Sequence, residues 1–260
     1  MSKVKTLVYF DLEATGLKCS GRPRITEISF VAVHPKDVED LHIQIQNVMK
    51  TKKNVNSYQL QIENCFPRVL NKITLCVYPM AIIMPEVTDI TGLDNYNLTD
   101  QARFNENTGN LIKNFLAQLP PPICLVAHNG NMYDFPLLKS ELEKTCIQLG
   151  SETLCADSYV GMKAIFQERS LRSEAEVKES RYNPVRARKE DIDGRKTPQS
   201  YSLINLHRHL LDCRPIRSHG AEADCLALLR TTAALGNEWI EWLNKNCTLF
   251  TNCQKMWGWD

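Results

Sequence analysis

Two acidic residues, Asp11 and Glu13, follow an apolar run near the N-terminus of this 260-residue chain. Residues Val4 to Phe10 are rich in β-branched, leucine and aromatic types, which favours a buried strand. Because side chains two positions apart on a strand share a face, both carboxylates would point the same way. They would repel each other unless a cation lay between them, and Mg²⁺ prefers such oxygen ligands. The pair therefore indicates a metal site, although Asp37 and Glu39 show the same spacing in a polar segment.

A third acid, Asp134, follows a second apolar run. Residues 123 to 139 predict a buried strand, a turn at Asn129 to Asn131, and a helix that begins near Tyr133. Asp134 would lie in the first turn of that helix, where an acid commonly complements the helix dipole. The residues alone leave both that structural role and metal ligation open.

A histidine and a fourth acid, His219 and Asp224, lie at the start of a later helical run. His207 and Asp212 have the same spacing, but His207 falls in the middle of a predicted helix, Ser202 to Leu211, where residues five apart diverge by roughly 140°. His219 precedes its helix and is followed by Gly220, so its imidazole can turn toward the acids. An imidazole with an ordinary pKa of about 6.5 is suited to take a proton from water near neutral pH.

The four acids and the histidine occur in the order found in the DEDDh family of 3′–5′ exonucleases. The flanking sequence, from roughly residue 5 to 235, closely resembles the Trex-type three-prime repair exonucleases. The resemblance rests on Phe-Asp-Leu-Glu-Ala-Thr-Gly-Leu at 10 to 17, Ile-Thr-Gly-Leu at 90 to 93, Cys-Leu-Val-Ala-His-Asn-Gly at 124 to 130, Tyr-Asp-Phe-Pro-Leu-Leu at 133 to 138 and Ser-Tyr-Ser-Leu at 200 to 203. One departure is Lys18-Cys19, where small and proline residues are expected.

This resemblance implies a DNA exonuclease that removes nucleoside monophosphates from single-stranded 3′ ends and from frayed or nicked duplexes. Asp11, Glu13, Asp134 and Asp224 would hold two Mg²⁺ ions, which Mn²⁺ can replace, and His219 would be the general base. Two such ions supply an activated water and stabilise charge on the attacking and leaving oxygens. The positions that match nucleotide-binding residues of the family are Ala14, Thr15, Leu17, Ile90, Tyr133 and Tyr201.

The segment from Glu168 to Ser200 is the least globular part of the chain, with nine Lys or Arg against seven acids. We predict a charged, flexible loop here. It would be either a solvated spacer or a loop that holds substrate phosphates through Arg186, Arg188 and Lys189.

Composition is that of an ordinary globular protein, with 43% hydrophobic and 23% charged residues, so we expect a single exonuclease domain over residues 1–260. The net charge of +1 indicates no global field for a polyanion, so DNA contacts must come from local patches. Ten cysteines without a Cys-x-x-Cys pair indicate reduced thiols of an intracellular protein. No secretory pattern, membrane span or C-terminal anchor is visible, and we expect a soluble cytoplasmic or nuclear protein without membrane partners.

Strands at Ile25 to His34 and Ile73 to Tyr78 would join the first strand in a meander, with a polar, disorder-prone stretch at Lys50 to Ser57. This plan suits the α/β, ribonuclease H-like exonuclease fold that the resemblance implies, with a central mixed five-stranded sheet flanked by helices. Family members are homodimers through paired edge strands, and the strand near 73–78 corresponds to that edge. Helical periodicity covers Asn110 to Leu119, Tyr133 to Leu149, Ser158 to Glu168, Ser202 to Leu211, Ala221 to Leu235 and Asn237 to Asn244.

Two alternative functions would also fit these sequence features. An RNA-trimming exonuclease of the same superfamily would need identical catalytic residues, and only the flanking motifs favour DNA. A non-catalytic nucleic-acid-binding relative would keep the fold, but all five catalytic positions are intact.

Overall fold

A computed structural model of the protein describes residues 3–17, 21–51, 55–179, 197–216 and 219–257. It contains one mixed sheet whose six strands are β1 (Thr6–Ala14), β2 (Ile25–Val33), β3 (Asn71–Cys76), β4 (Ile123–Ala127), β5 (Leu154–Asp157) and β6 (Thr248–Leu249). Their order is β3-β2-β1-β4-β5-β6. Strands β1, β4 and β5 are parallel, whereas β2, β3 and β6 pair antiparallel to their neighbours. The carboxyl ends of β1, β4 and β5 therefore meet at one edge of the sheet.

Helices cover both faces of the sheet. Those in the first half of the chain are α1 (Pro35–Lys50), α2 (Val55–Glu63), α3 (Pro85–Thr91) and α4 (Glu106–Ala117). Those in the second half are α5 (Asp134–Lys144), α6 (Ser158–Glu179), α7 (Leu203–Leu211), α8 (Ala221–Ala233) and α9 (Asn237–Asn246).

Strand β1 lies at the centre of the core because its apolar residues alternate between two buried faces. Leu7 and Tyr9 pack with α1, α2 and α6 to α9 on one face, and Val8 and Phe10 pack with α4 and α5 on the other. All four side chains are fully buried. A strand covered on both faces has no solvated side, which explains its continuous apolar sequence.

The structure confirms the α/β, ribonuclease H-like class and the β1–β2–β3 meander, but the five-strand count is wrong. Strands β5 and β6 have four and two residues. Segments this short give no alternating pattern in the sequence. Strand β1 also continues past the apolar run to Ala14, so Asp11 and Glu13 lie on the strand, as their predicted shared face requires.

Three helices, α1 to α3, lie where the sequence predicted none. Helix α1 follows His34, whose ring accepts from the Lys36 amide, and it buries Val38, Leu41 and Ile45 one turn apart. The polar stretch predicted at Lys50 to Ser57 contains the end of α1 and the start of α2. Helix α6 extends to Glu179, so the first part of the predicted charged loop is helical. Residues 180–196 lie outside the described part of the chain.

Across the described residues, no helix combines the length and the apolar character needed to cross a bilayer.

His207 generates a prediction about acid stability. Its ring is fully buried in α7, and Nδ1 lies 2.8 Å from the Cys213 carbonyl oxygen. Burial, assisted by the nearby charge of Arg230, lowers the pKa of His207 to about 4. The unfolded chain therefore binds a proton first as the pH falls, and the free energy of unfolding decreases between the unfolded and folded pKa values.

We expect His207 to account for a loss of about 2 kcal/mol in unfolding free energy between about pH 7 and pH 5. Denaturant titrations at both pH values should show a smaller loss in His207→Asn than in the native chain. His34→Asn is the matched control, because His34 is exposed and Asn also caps helices. Equal pH dependence in the native chain and His207→Asn would contradict this prediction.

Candidate active site

Three carboxylates converge beside the centre of the sheet. Asp11 and Glu13 extend from β1 on the same side as Leu7 and Tyr9, as the period of two requires. Asp224 comes from the first turn of α8. One carboxylate oxygen from each of these residues lies within 4.8 Å of the others. The structure thus brings together acids that are more than 200 positions apart in the chain.

Helix α8 brings Asp224 to β1 because the helix and the strand match in length. Tyr9 Oη and Thr232 Oγ1 lie 2.7 Å apart at one end of the contact. The helix rises about 12 Å between Thr232 and Asp224. The strand advances about 13 Å from Tyr9 to Glu13. The hydrogen bond at Tyr9 therefore places the start of α8 over the two acids.

Asp134 is the first residue of α5 and lies near the carboxyl ends of β1 and β4. Its side chain is 6% exposed and accepts hydrogen bonds from its own amide and that of Leu12. The turn before it requires glycine, because a Cβ on Gly130 would lie 2.6 Å from the Ala127 Cβ. Both open roles of Asp134 are thus compatible with its position, at a helix N-terminus and beside Asp11.

Asp157, at the end of β5, was not predicted from the sequence. Its carboxylate accepts from the amides of Asn129, Asn131 and Tyr159 at 3.0, 3.1 and 2.9 Å. It therefore fixes the turn that leads into Asp134. The available signal was an acid that directly ends a short apolar run, Leu-Cys-Ala-Asp at 154 to 157.

The acids strongly perturb one another. The pKa of Asp11 is well above its ordinary value because the group is buried and lies beside Asp134, Asp224 and Glu13. Burial and the charge of Asp224 raise the pKa of Glu13 to about 8. Burial likewise raises the pKa of Asp134 to about 7. A site of this kind favours either bound protons or a bound cation, and the all-oxygen donor set fits a hard divalent ion such as Mg²⁺.

His219 lies in the turn before α8, as predicted. Its amide donates to Asp224 Oδ2 at 3.0 Å, and its backbone has a φ of +66°. Burial raises the pKa of Asp224, while the His219 amide and the adjacent imidazole lower it. The side chain of His219 is exposed, which leaves it accessible to a substrate from solvent.

Glu27 is a fifth acid at this edge and was also not predicted. It lies on β2 directly opposite Glu13. Its charge contributes to the raised pKa values of Asp11, Glu13 and Asp224. Its Oε2 accepts from the amide of Ala221 at 2.7 Å.

Hydrogen bonds link the predicted nucleotide-binding segment that follows the acids to Tyr133 and to the start of α3, the helix that carries Ile90. The Tyr133 hydroxyl donates to the Gly16 carbonyl. The buried Thr15 bonds to the backbone of Arg24 and accepts from the Met84 amide at the start of α3. Ala14 is buried, whereas Leu17 and Ile90 are apolar side chains with exposed fractions of 64% and 56%.

Tyr201 belongs to a separate aromatic cluster. Its ring centroid lies 6.0 Å from that of Tyr159 and 6.2 Å from that of Phe166, and its carbonyl pairs with His128 Nε2 at 2.9 Å. These contacts are sufficient to explain its position as packing. Arg186, Arg188 and Lys189 lie outside the described residues.

Comparison of the chain with curated proteins gives relatives along almost its whole length. It is 35% identical over 259 residues to three-prime repair exonuclease 1 of Bos taurus, covering 98% of this chain and 71% of the relative. It is 31% identical over 257 residues to three prime repair exonuclease 2 of Mus musculus, covering 98% and 94%. No protein-family model matches the chain.

Solved structures of similar fold include E. coli exonuclease I in complex with a dA16 oligonucleotide, with a TM-score of 0.58 and 14% identity. The match covers 92% of this chain and 43% of exonuclease I. The apo form of exonuclease I gives a TM-score of 0.56 at 13% identity, covering 93% and 44%. The present chain thus spans less than half of these solved chains, and at such low identity the likeness shows the fold alone.

The raised pKa values generate a prediction about stability. An acid whose folded pKa exceeds its unfolded pKa contributes stability that is full below the unfolded pKa and is lost as the pH rises through the folded pKa. At neutral pH the carboxylate of Asp11 therefore opposes folding in metal-free protein. We expect Asp11→Asn to raise the unfolding temperature in chelator and to reduce the further rise that Mg²⁺ gives the native chain.

Thermal unfolding with EDTA and with MgCl₂ measures both effects. Asp40→Asn on the exposed face of α1 is the matched control and should behave like the native chain. A native chain insensitive to Mg²⁺, or an Asp11→Asn variant that is less stable in chelator, would contradict this account of the cluster.

Proposed function

This chain belongs to the three-prime repair exonuclease family, and we propose that it is a metal-dependent 3′–5′ DNA exonuclease. It would release nucleoside monophosphates from single-stranded 3′ ends and from frayed or nicked duplexes. The observation that carries this proposal is the convergence of Asp11, Glu13 and Asp224 within 4.8 Å, with Asp134 beside them. Strong mutual repulsion among acids at one sheet edge is expected where a site is built for cations.

The four acids would supply the ligands for two Mg²⁺ ions, which Mn²⁺ could replace. The charges of the other three acids all raise the pKa of Asp11, so Asp11 lies among the other proposed ligands. When bound, a pair of divalent ions activates water and stabilises charge on the attacking and leaving oxygens. The protein must therefore hold the four carboxylates in place against their mutual repulsion.

His219 is the proposed general base. Its exposed side chain lies at the entrance of α8 beside Asp224, so it can accept a proton from the attacking water and release it to solvent. Asp224 also holds the His219 backbone through its Oδ2, which couples the base to an acid of the cluster.

The terminal nucleotide would lie against the surface next to the acids. Leu17 and Ile90 offer exposed apolar surface to an unpaired base, and Tyr133 is held by its bond to Gly16. Ala14 and Thr15 form the backbone between the acids of β1 and Leu17. We retain Tyr201, Arg186, Arg188 and Lys189 as proposed substrate contacts, the last three for phosphates.

The family of this chain and its fold both favour DNA over RNA as the substrate. Relatives of this chain are three-prime repair exonucleases, and solved structures of its fold include exonuclease I with DNA oligonucleotides. An RNA-trimming enzyme remains the second candidate, since the acids and His219 would serve it equally. A non-catalytic binding relative would not require this set of intact acids. We expect a cytoplasmic or nuclear location and one exonuclease domain.

We also propose that the protein forms a homodimer through β3. This strand is the outer member of the sheet and is partly exposed along its length. Exposed strand edges pair readily with other strands. The family resemblance implies that the partner is a second copy of the chain.

The central test is a degradation ladder. With Mg²⁺, a 5′-labelled single-stranded DNA oligonucleotide should shorten stepwise from its 3′ end, and the matched RNA should be a poor competitor. We expect Asp224→Asn to fold normally and lose at least 10²-fold of this activity. Asp212→Asn, the matched control, should remain active because Asp212 ends α7 in a left-handed conformation that Asn accepts.

Two results would reject the function. A chain that leaves DNA intact with Mg²⁺ and with Mn²⁺ would be a binding relative rather than a nuclease. Preferential degradation of RNA would instead establish the second candidate.

The dimer is tested by the molar mass in solution. Light scattering after size-exclusion chromatography should give twice the chain mass of 29.7 kDa over a range of concentrations. A mass that stays at the single-chain value would remove β3 as a pairing edge.

A further inference from the structure

We propose that Glu27 is a positioning residue of this site, which holds the turn carrying His219 by capping α8 from the neighbouring strand, β2. The inference deepens the proposed function and rests on it. Glu27 and Ala221 are 194 positions apart, yet Glu27 Oε2 accepts from the Ala221 amide at 2.7 Å. A carboxylate at a helix N-terminus also complements the helix dipole.

Helix α8 has no cap of its own. Its N-cap residue is Gly220, which has no side chain to satisfy the free amides at the start of a helix. The Asp224 amide bonds to the Gly220 carbonyl, as in any first turn. The Ala221 amide is satisfied by Glu27 instead, which ties the start of α8 to β2.

The unfavourable backbone conformation of His219 depends on this attachment of α8 to β2. A φ of +66° is unfavourable for a residue with a Cβ, and it persists only where neighbouring contacts determine it. Two hydrogen bonds flank the turn: the His219 amide to Asp224, and the Ala221 amide to Glu27. Losing the second bond would allow the turn to relax and would move the proposed base away from the acids.

A second set of contacts holds the first turn of α8, at a greater distance from His219. Glu222 pairs with Lys72 and accepts from the Thr74 hydroxyl at 3.1 Å, which ties the first turn of α8 to β3. The Lys72 and Glu222 side chains are 50% and 35% exposed, so solvent weakens this ion pair. Glu27 is the anchor closest to His219, since Gly220 alone separates His219 from Ala221.

The contacts of Glu27 distinguish positioning from metal binding. Both of its carboxylate oxygens already have donors: the Ala221 amide on Oε2 at 2.7 Å, and the Cys76 thiol on Oε1 at 3.8 Å. Its charge also adds to the repulsion on Asp11 and Glu13. The favourable contribution of Glu27 is therefore the hydrogen bonds it accepts, and a neutral amide oxygen can also accept the one from Ala221.

The kinetic test compares Glu27→Gln with Glu27→Ala. Glu27→Gln keeps an acceptor for the Ala221 amide and should retain kcat within about 3-fold, whereas Glu27→Ala should lower kcat by about 10- to 100-fold with KM nearly unchanged. In a His219→Ala background, Glu27→Ala should have almost no further effect on kcat, because the residue it positions is absent. Ile240→Val, a core change in α9, is the control for general destabilisation and should not show this coupling with His219→Ala.

Amide hydrogen exchange of the metal-free protein provides a readout independent of activity. Peptides covering residues 219–225 should exchange faster in Glu27→Ala than in Glu27→Gln, with no such difference in Ile240→Val. The proposal is overturned if exchange is unchanged, if Glu27→Gln is as impaired as Glu27→Ala, or if the effects of Glu27→Ala and His219→Ala add. Absence of nuclease activity in the native chain would remove the proposed function, and exchange would still test the cap.

Discussion

The constraint on which this structure depends is the repulsion among carboxylates at one edge of the sheet. Asp11, Glu13, Asp134 and Asp224 all have raised pKa values, and in each case burial is the largest cause. No arrangement of these acids is favourable by itself in the absence of protons or cations. The surrounding fold must therefore hold them in place with interactions of its own.

The protein meets this requirement with backbone amides. Asp134 and Asp224 each lie in the first turn of a helix, where free amides and the helix dipole favour negative charge. Asp157 fixes the turn before one helix and Glu27 the start of the other, and both do so by accepting from backbone amides. The core supplies the remaining rigidity, because β1 is buried on both faces and α8 is aligned on it through Tyr9.

Much of the framework was predictable from local patterns. The apolar runs predicted β1, β2 and β4, and helical periodicity predicted most helices of the second half of the chain. The failures have physical reasons. Two-residue β6 has no period to detect, and α1 presents enough charge around Val38, Leu41 and Ile45 to appear as a polar segment. Element ends were also misplaced. Strand β1 continues through two acids, which strands disfavour, and α6 continues into a charged stretch whose residues are good helix formers but show no clear apolar period.

The sequence by itself determined the chemistry that is possible here: which residues are acids, that Asp11 and Glu13 share a face, and that His219 precedes a helix rather than lying within one. Only the tertiary structure decided how closely these acids meet, because the match in length between α8 and β1 brings Asp224 within 4.8 Å of Asp11 and Glu13. It also decided the roles of Glu27 and Asp157, because a carboxylate that accepts from a distant backbone amide has no local pattern, and its role exists only once the chain has folded.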